Sequence, residues 1–224
     1  MVYWEQHFAV RTRVSSIQLL AMFTMLMDHI GAVWFQDNPA WRIIGRLALP
    51  FYIFALVTGY TRTRNMQRYL IRIALLAAVS QLPFQMALQS QQINIIATLF
   101  VSLAVLLLLD RLKGNRPAQL ALTAAAAVFL EVLPFDYGAY ALLLALVYRY
   151  AAPKWTVLLH TALNVAVLFY KGWFLQMFSL FSTLWLVYFP DFIKGLDAIR
   201  IPRWIWRSFY PLHLAVLALL HRFI

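Results

Sequence analysis

Apolar stretches long enough to cross a membrane recur along this chain from Ser15 to the C-terminus, with short polar breaks between them. A transmembrane helix needs about 20 mostly apolar residues, and lipid leaves the backbone no alternative to internal hydrogen bonds. Of the 224 residues, 63% are hydrophobic and only 12% are charged. The sequence therefore predicts an all-α fold, a polytopic bundle of transmembrane helices forming one domain over residues 1–224.

The apolar runs place about nine spans, with eight to ten as the range, because some runs are shorter than a full span. The predicted helices cover residues 15–36, 42–61, 68–88, 93–110, 118–134, 137–151, 155–170, 172–189 and 205–223. The fifth and sixth runs are short, so they either merge near residues 134–138 or form a re-entrant pair.

Basic residues are distributed unevenly among the breaks. Most of the 19 lysines and arginines precede the first helix or lie in the even-numbered breaks; the exceptions are Arg42, Arg46, Lys171 and Arg222. Cytoplasmic loops of membrane proteins carry such an excess of positive charge. This pattern predicts a cytoplasmic N-terminus and accounts for the net charge of +11, so we expect no nucleic-acid partner. The chain has no cysteine, which excludes disulfides, thiolate metal sites and cysteine nucleophiles.

Four ionisable residues fall within the first two predicted helices, where each costs about 2.5–3.5 kcal/mol at the bilayer centre. Asp28 and His29 lie roughly 20 Å along the first helix from Ser15, in the outer half of the membrane. Arg42 and Arg46 are four residues apart and share a face of the second helix. We expect Asp28 to pair with one of these arginines. A dyad of Asp28 with His29 is not expected, because neighbours on a helix project about 100° apart.

Two prolines interrupt the helices beside these polar residues. Pro50 cannot donate to the carbonyl of Arg46, which predicts a kink and a polar cavity next to the charged residues. Pro211 lies between Tyr210 and His213, which are three residues apart on one face of the last helix and bring a second imidazole into the bundle.

For the uncharged polar residues, hydrogen bonds between helices are the favoured role. This group contains Gln81, Gln85, Asn94, Thr98, His160 and Asn164. A metal site built from Asp28, His29 and His213 is disfavoured, because the sequence has no His-Glu-x-x-His or similar ligand spacing. We expect no metal.

Three segments resemble the TraX family of conjugal pilin acetylases. They are Met-Leu-Met-Asp-His-Ile at 25–30, Gly-Arg-Leu-Ala-Leu-Pro-Phe at 45–51 and Phe-Tyr-Pro-Leu-His-Leu at 209–214. Shorter matches at 61–65, 69–72, 80–84, 93–95 and 137–138 extend the resemblance over nearly the whole chain.

The resemblance implies an acyl-CoA-dependent N-acetyltransferase of the bacterial inner membrane, distantly related to larger membrane acyltransferases. Its cosubstrate is acetyl-CoA, and its acceptor is the amino terminus of a pilin or of another peptide or small molecule outside the membrane. By this resemblance His29 is the catalytic histidine, with Asp28 beside it.

Roles for the other polar residues follow as hypotheses. Arg42 or Arg46 is expected to stabilise the oxyanion or the acceptor. Further residues of the substrate site are Asn94, Tyr137, Tyr210 and His213. The phosphates of acetyl-CoA are expected near Arg62, Arg64, Arg68 and Arg72, although this cluster also serves as a topology signal that contacts lipid headgroups.

Other functional classes stay open at this point. The buried charges also suit a small-molecule or proton-coupled transporter, or an O-acyltransferase acting on a lipid or glycan. In a purely structural membrane subunit they would only fix the register of the helices.

Overall fold

The computed structural model describes residues 14–189 and 202–223. Within these ranges the chain is helical, and its one β-type pairing is an isolated bridge between Ile93 and Phe135. The helices are α1 (Val14–Trp34), α2 (Pro39–Arg46), α3 (Ala48–Arg62), α4 (Met66–Leu88), α5 (Ile95–Arg111), α6 (Arg116–Val132), α7 (Ala139–Tyr150), α8 (Pro153–Lys171), a 3₁₀ helix (Phe174–Ser179), α9 (Leu180–Tyr188) and α10 (Arg203–Phe223). The all-α prediction is confirmed for these residues. The basic residues Arg11, Arg13, Lys194 and Arg200, which entered the topology argument, lie outside them.

The predicted helix bounds hold to within a few residues, except where a predicted helix is divided in two. The run predicted at 172–189 begins as the 3₁₀ helix and continues as α9. The fifth and sixth runs do not merge: they are α6 and α7, joined by residues 133–138. This connecting segment is fixed by the Ile93 amide, which donates to the Pro134 carbonyl at 2.7 Å.

The helix predicted at 42–61 is interrupted at Leu47, where α2 ends and α3 begins. Pro50 has no amide hydrogen for the Arg46 carbonyl, which lies four residues earlier, so the regular ladder cannot continue there. The Ser182 hydroxyl from α9 donates to the Leu47 carbonyl at 2.8 Å. The predicted loosening of the helix beside Arg46 is therefore present, as an interruption of the helix at Leu47.

Successive spans run in opposite directions, so the polar connections collect at two ends of the bundle. At one end, which we call the basic end, Arg149 contacts Asp110 at 3.2 Å. At the other, the distal end, Lys171 contacts Glu131 at 2.5 Å and Gln89 bonds to His221 at 3.0 Å. The groups of basic residues described at 62–72, 111–116 and 149–154 all belong to the basic end. This asymmetry underlies the predicted orientation, with the basic end cytoplasmic.

The exterior of the bundle is suited to lipid. Along α4 an apolar stripe at helical spacing faces outward, formed by Ile71, Leu75, Val79, Leu82 and Met86. Three segments are long and apolar enough to cross a membrane, namely Ile17–Trp34, the combined α2 and α3, and α4. Two shorter apolar segments are Ala139–Tyr150 and Phe174–Tyr188. Several helices are thus long and apolar enough to span a membrane, and the number of spans stays a prediction.

A buried hydrogen-bond network joins the helices that follow α6. The Tyr140 hydroxyl from α7 lies 2.9 Å from Nε2 of His160 and 2.8 Å from Oδ1 of Asn164, both on α8. The other nitrogen of His160 lies 2.6 Å from the Thr183 hydroxyl on α9. His160 and Asn164 are fully buried, and they have the interhelical hydrogen bonds expected of them.

We expect His160→Ala to destabilise the protein by at least about 2 kcal/mol, because it removes buried hydrogen bonds to Tyr140 and Thr183 and opens a cavity. The measurement is the melting temperature in detergent. Leu159→Ala, on the exposed side of the same helix, is the control and should change it little. Equal melting temperatures for the two variants would contradict the structural role of His160.

Candidate active site

A cavity of about 290 Å³ lies at the distal half of the bundle, where α2 crosses α1. Apolar side chains from α3 and α5 form part of its wall. The charged and polar side chains that face it include Asp28, His29, Arg42, Arg46, Asp136 and Tyr137. Five of these were predicted as site residues, so the structure brings the core of the predicted site together.

The Asp28 carboxylate bridges both arginines of α2. Its Oδ2 lies 3.0 Å from Nη1 of Arg42, and its Oδ1 lies 3.2 Å from Nη2 of Arg46. The Arg42 guanidinium also donates to the Asp28 main-chain carbonyl at 3.2 Å. The predicted ion pair is present and extends to both arginines. A carboxylate shared in this way is held rigidly and is occupied by its partners.

Two glycines allow α1 and α2 to approach closely enough for these bonds. A Cβ atom on Gly45 would collide with the carboxylate of Asp28, and one on Gly31 would collide with the side chain of Trp41. The contact is therefore closer than any side chain at these positions permits, as in other tightly packed membrane helices.

The two imidazoles of the site are hydrogen-bonded to each other. Nδ1 of His29 lies 2.8 Å from Nε2 of His213, and the rings are nearly parallel. Nδ1 of His213 lies 2.6 Å from the Phe209 carbonyl, four residues earlier on α10. A carbonyl only accepts, so Nδ1 of His213 carries a proton. With both rings neutral, Nε2 of His213 then accepts from Nδ1–H of His29, and Nε2 of His29 keeps its lone pair.

The position of this lone pair can be assigned. His29 lines the cavity, whereas His213 does not. Nε2 of His29 has no hydrogen-bond partner among the described residues. We call the chain from the Phe209 carbonyl through His213 to His29 the imidazole relay. It presents a base with its tautomer fixed, the arrangement by which a second group prepares a catalytic histidine.

Three of the predicted substrate residues lie behind the cavity wall. Asn94 is fully buried, and its side chain caps α5 and bonds to Gln81 at 2.7 Å, so it is a structural residue. Asn94 thus has the interhelical hydrogen bond expected of it and does not line the cavity. Tyr210 and His213 also lie outside the wall, and His213 acts instead on His29.

Asp136 is the site residue that sequence reasoning missed. It lies in the connection between α6 and α7, immediately before Tyr137, and lines the cavity. The Arg46 guanidinium lies over the ring of Tyr137, 5.7 Å from its centroid. An acidic residue next to the Tyr-Gly pair, in the short connection between two predicted helices, was the available signal.

A second depression, the basic groove, opens toward the basic end. Its volume is about 1370 Å³, and its wall includes Arg62, Arg64, Arg72, Arg207 and Trp206. Three of the four arginines predicted for the cosubstrate are therefore present together. Arg68 is not in the wall, and Arg207 from α10, which is in the wall, was not foreseen.

Among the described residues there is no group of three histidine, aspartate or glutamate side chains arranged to hold a metal ion.

Comparison with known proteins covers almost the whole chain. The family model described as "TraX protein" matches residues 13–221. The chain belongs to the TraX family. It is also 27% identical to the "Probable fimbrial assembly protein FimC, serogroup H1" of Dichelobacter nodosus, over 90% of this chain and 92% of that protein. No solved structure matches.

The three segments on which the TraX resemblance rested meet around the cavity. Residues 25–30 supply Asp28 and His29, residues 45–51 supply Gly45 and Arg46, and residues 209–214 supply His213. The family pattern and the geometry thus point to the same place in this TraX protein.

We expect Gly45→Ala to destabilise the protein by about 1–3 kcal/mol, because the added methyl overpacks the contact with Asp28. The free energy of unfolding in mixed detergent is the measurement. Ile44→Ala, one residue earlier and on the exposed side of α2, is the matched control. A Gly45→Ala variant as stable as Ile44→Ala would show that the close approach of α1 and α2 is not required.

Proposed function

We propose that this TraX protein is a membrane-embedded acetyltransferase that passes an acetyl group from acetyl-CoA to an acceptor amine. The observation that carries the proposal is the imidazole relay, which leaves Nε2 of His29 unpartnered at the wall of a cavity containing two guanidinium groups. A histidine with a fixed tautomer and a free lone pair is what general base or nucleophilic catalysis requires.

The chemistry needs a base because an acceptor ammonium has no lone pair. Nε2 of His29 accepts a proton from nitrogen, and the amine attacks the thioester carbonyl carbon. The C–N bond forms and the C–S bond breaks. Of the three protons on the ammonium, one stays on the amide, one ends on the thiol of CoA and one leaves to solvent. A nucleophilic His29 would use the same lone pair to form an acetyl-imidazole first.

The arginines supply the electrostatic part of this proposal. Negative charge develops on the thioester oxygen as the tetrahedral intermediate forms, and a preorganised guanidinium stabilises it. Arg46 is well buried, with its side chain 15% exposed, and Asp28 and Tyr137 hold it in place. The proposed role of Asp28 is therefore to orient the arginines and not to touch the histidine.

The basic groove is the proposed site for the cosubstrate. Its arginines suit the phosphates of CoA. The groove and the cavity approach each other along α3, where Ala55 lines the groove and Tyr52 lines the cavity. These residues are three apart, a rise of about 4.5 Å. The lining of the groove and the lining of the cavity thus come within about one helical turn of each other on α3.

The topology proposal follows from the positions of the two depressions. If the basic end is cytoplasmic, acetyl-CoA enters from the compartment that makes it, and the acceptor reaches His29 from the outer side of the bacterial inner membrane. The similarity to a probable fimbrial assembly protein supports a pilin or fimbrial subunit as the acceptor.

We expect His29→Ala to lose acetyl-CoA turnover by about 10²–10⁴-fold, the usual contribution of a general base. The assay is release of CoA thiol from radiolabelled acetyl-CoA by purified protein, with the fold checked by thermal melting. His221→Ala, near the distal end of α10, should behave as wild type. A folded wild-type protein that neither binds nor cleaves acetyl-CoA would refute the transferase and favour a transporter.

His213→Ala should lower turnover by about 10²-fold, because Nδ1–H of His29 loses its acceptor and the tautomer is no longer fixed. His213→Gln should recover part of the loss, since its amide oxygen can accept the same hydrogen. A purely structural His213 would predict equal turnover for both variants at matched melting temperature.

We expect the triple substitution Arg62→Gln, Arg64→Gln and Arg72→Gln to raise the KM for acetyl-CoA at least about tenfold with a smaller change in kcat, because charge-assisted phosphate contacts are lost. Rising salt should likewise raise the KM of the wild-type protein for acetyl-CoA. The control is Lys113→Gln with Arg116→Gln, which removes charge at the same end but outside the groove wall. Equal KM values for the two would place the cosubstrate elsewhere.

A further inference from the structure

Three of the four charged groups at the cavity neutralise one another in part. Asp28 contacts both Arg42 and Arg46, so this trio carries one net positive charge when all three are ionised. The fourth, Asp136, forms no ion pair within 4 Å with any described residue. Its carboxylate accepts a hydrogen bond from the Tyr137 amide, but a buried carboxylate without an ion-pair partner is costly unless a cation contacts it.

The main chain holds Asp136 firmly in place. Its amide donates to the Ile93 carbonyl at 2.9 Å, and its carbonyl accepts from the Thr98 hydroxyl at 2.8 Å. The next residue, Tyr137, has a φ of 61°, a strained conformation for a residue with a side chain. These constraints keep the carboxylate at the wall.

Asp136 is outside the helices, and its charge state can be assigned. Burial raises the pKa of Asp136 to about 6, against the opposing effect of the nearby Arg46. The carboxylate form therefore dominates at pH 7.

The cavity is thus dipolar, with a positive trio and a separate negative group. Attack of an amine on a thioester gives a tetrahedral intermediate with a negative oxygen and a positive nitrogen. Attack of a hydroxyl, after loss of its proton, gives no positive atom. A transferase that stabilises charge where it develops needs a positive and a negative group for an amine acceptor and only a positive one for a hydroxyl.

We propose that Asp136 is the specificity-determining residue of the cavity, which binds the ammonium group of the acceptor and selects primary amines over alcohols. This role rests on the proposed transferase function, whose cavity it shares. In this proposal the acceptor nitrogen lies on the Asp136 side of His29, and the thioester oxygen of acetyl-CoA lies on the Arg46 side. It also excludes the O-acyltransferase alternative for this chain.

The test is direct binding, which needs no turnover. Calorimetry with n-butylammonium and with neutral n-butanol is carried out at pH 7 on the full-length protein in detergent. We expect wild type to bind the ammonium at least tenfold more tightly than the alcohol. Asp136→Asn should lose this preference, and Asp136→Glu should keep part of it. Asp37→Asn, an exposed acid in the turn between α1 and α2, should match wild type.

A folded Asp136→Asn protein that binds n-butylammonium as wild type does would overturn the assignment. So would a wild-type protein that binds the alcohol as tightly as the ammonium, an outcome that decides even if Asp136→Asn does not fold. If Asp136→Asn is less stable but still prefers n-butylammonium to n-butanol, Asp136 is only a counter-charge for Arg46 and the assignment is rejected.

The role of Asp136 and the proposed acetyl transfer can fail independently of each other. Thiol release with no ammonium preference would reject only the role of Asp136. Ammonium preference with no thiol release would retain Asp136 as a cation-binding residue and reject the acetyl transfer.

Discussion

The candidate site depends on one interaction, the bridging of Arg42 and Arg46 by the Asp28 carboxylate within the bundle. Two guanidiniums at this depth are tolerated because a carboxylate and a main-chain carbonyl satisfy them. The bridge also fixes the crossing of α2 over α1, for which Gly31 and Gly45 leave the space. The position of α2 in turn forms one wall of the cavity and leaves the neighbouring His29 facing it.

The helices were predictable because three local features mark them in a chain that lies in lipid. These are the apolar runs, the positions of proline and the basic residues in the breaks. Pro50 predicted the interruption near Arg46, and spacing alone predicted that Asp28 would meet the arginines of the next helix. Both follow from local geometry, since two consecutive antiparallel helices bring their adjoining ends together.

The remaining parts of the site depend on contacts between distant segments, which no local pattern contains. His29 and His213 are 184 positions apart, and only the packing of α10 against α1 brings their rings together. For the same reason the sequence assigned His213 to the cavity wall and not to the relay. The interhelical hydrogen bond favoured for Asn94 is present in its bond to Gln81, and its capping of α5 satisfies the rest of the amide.

Asp28 and His29 are adjacent in sequence but do not bond to each other, because each side chain is held by a different helix. Neighbouring positions on a helix face different directions, so Asp28 points to α2 while His29 points to α10. Each side chain is then fixed by a different element: two arginines hold the carboxylate, and a second imidazole anchored on the Phe209 carbonyl holds the ring. Because Asp28 is occupied by the arginines, another residue must set the tautomer of the histidine, and His213 does so without placing a further charge beside Nε2 of His29.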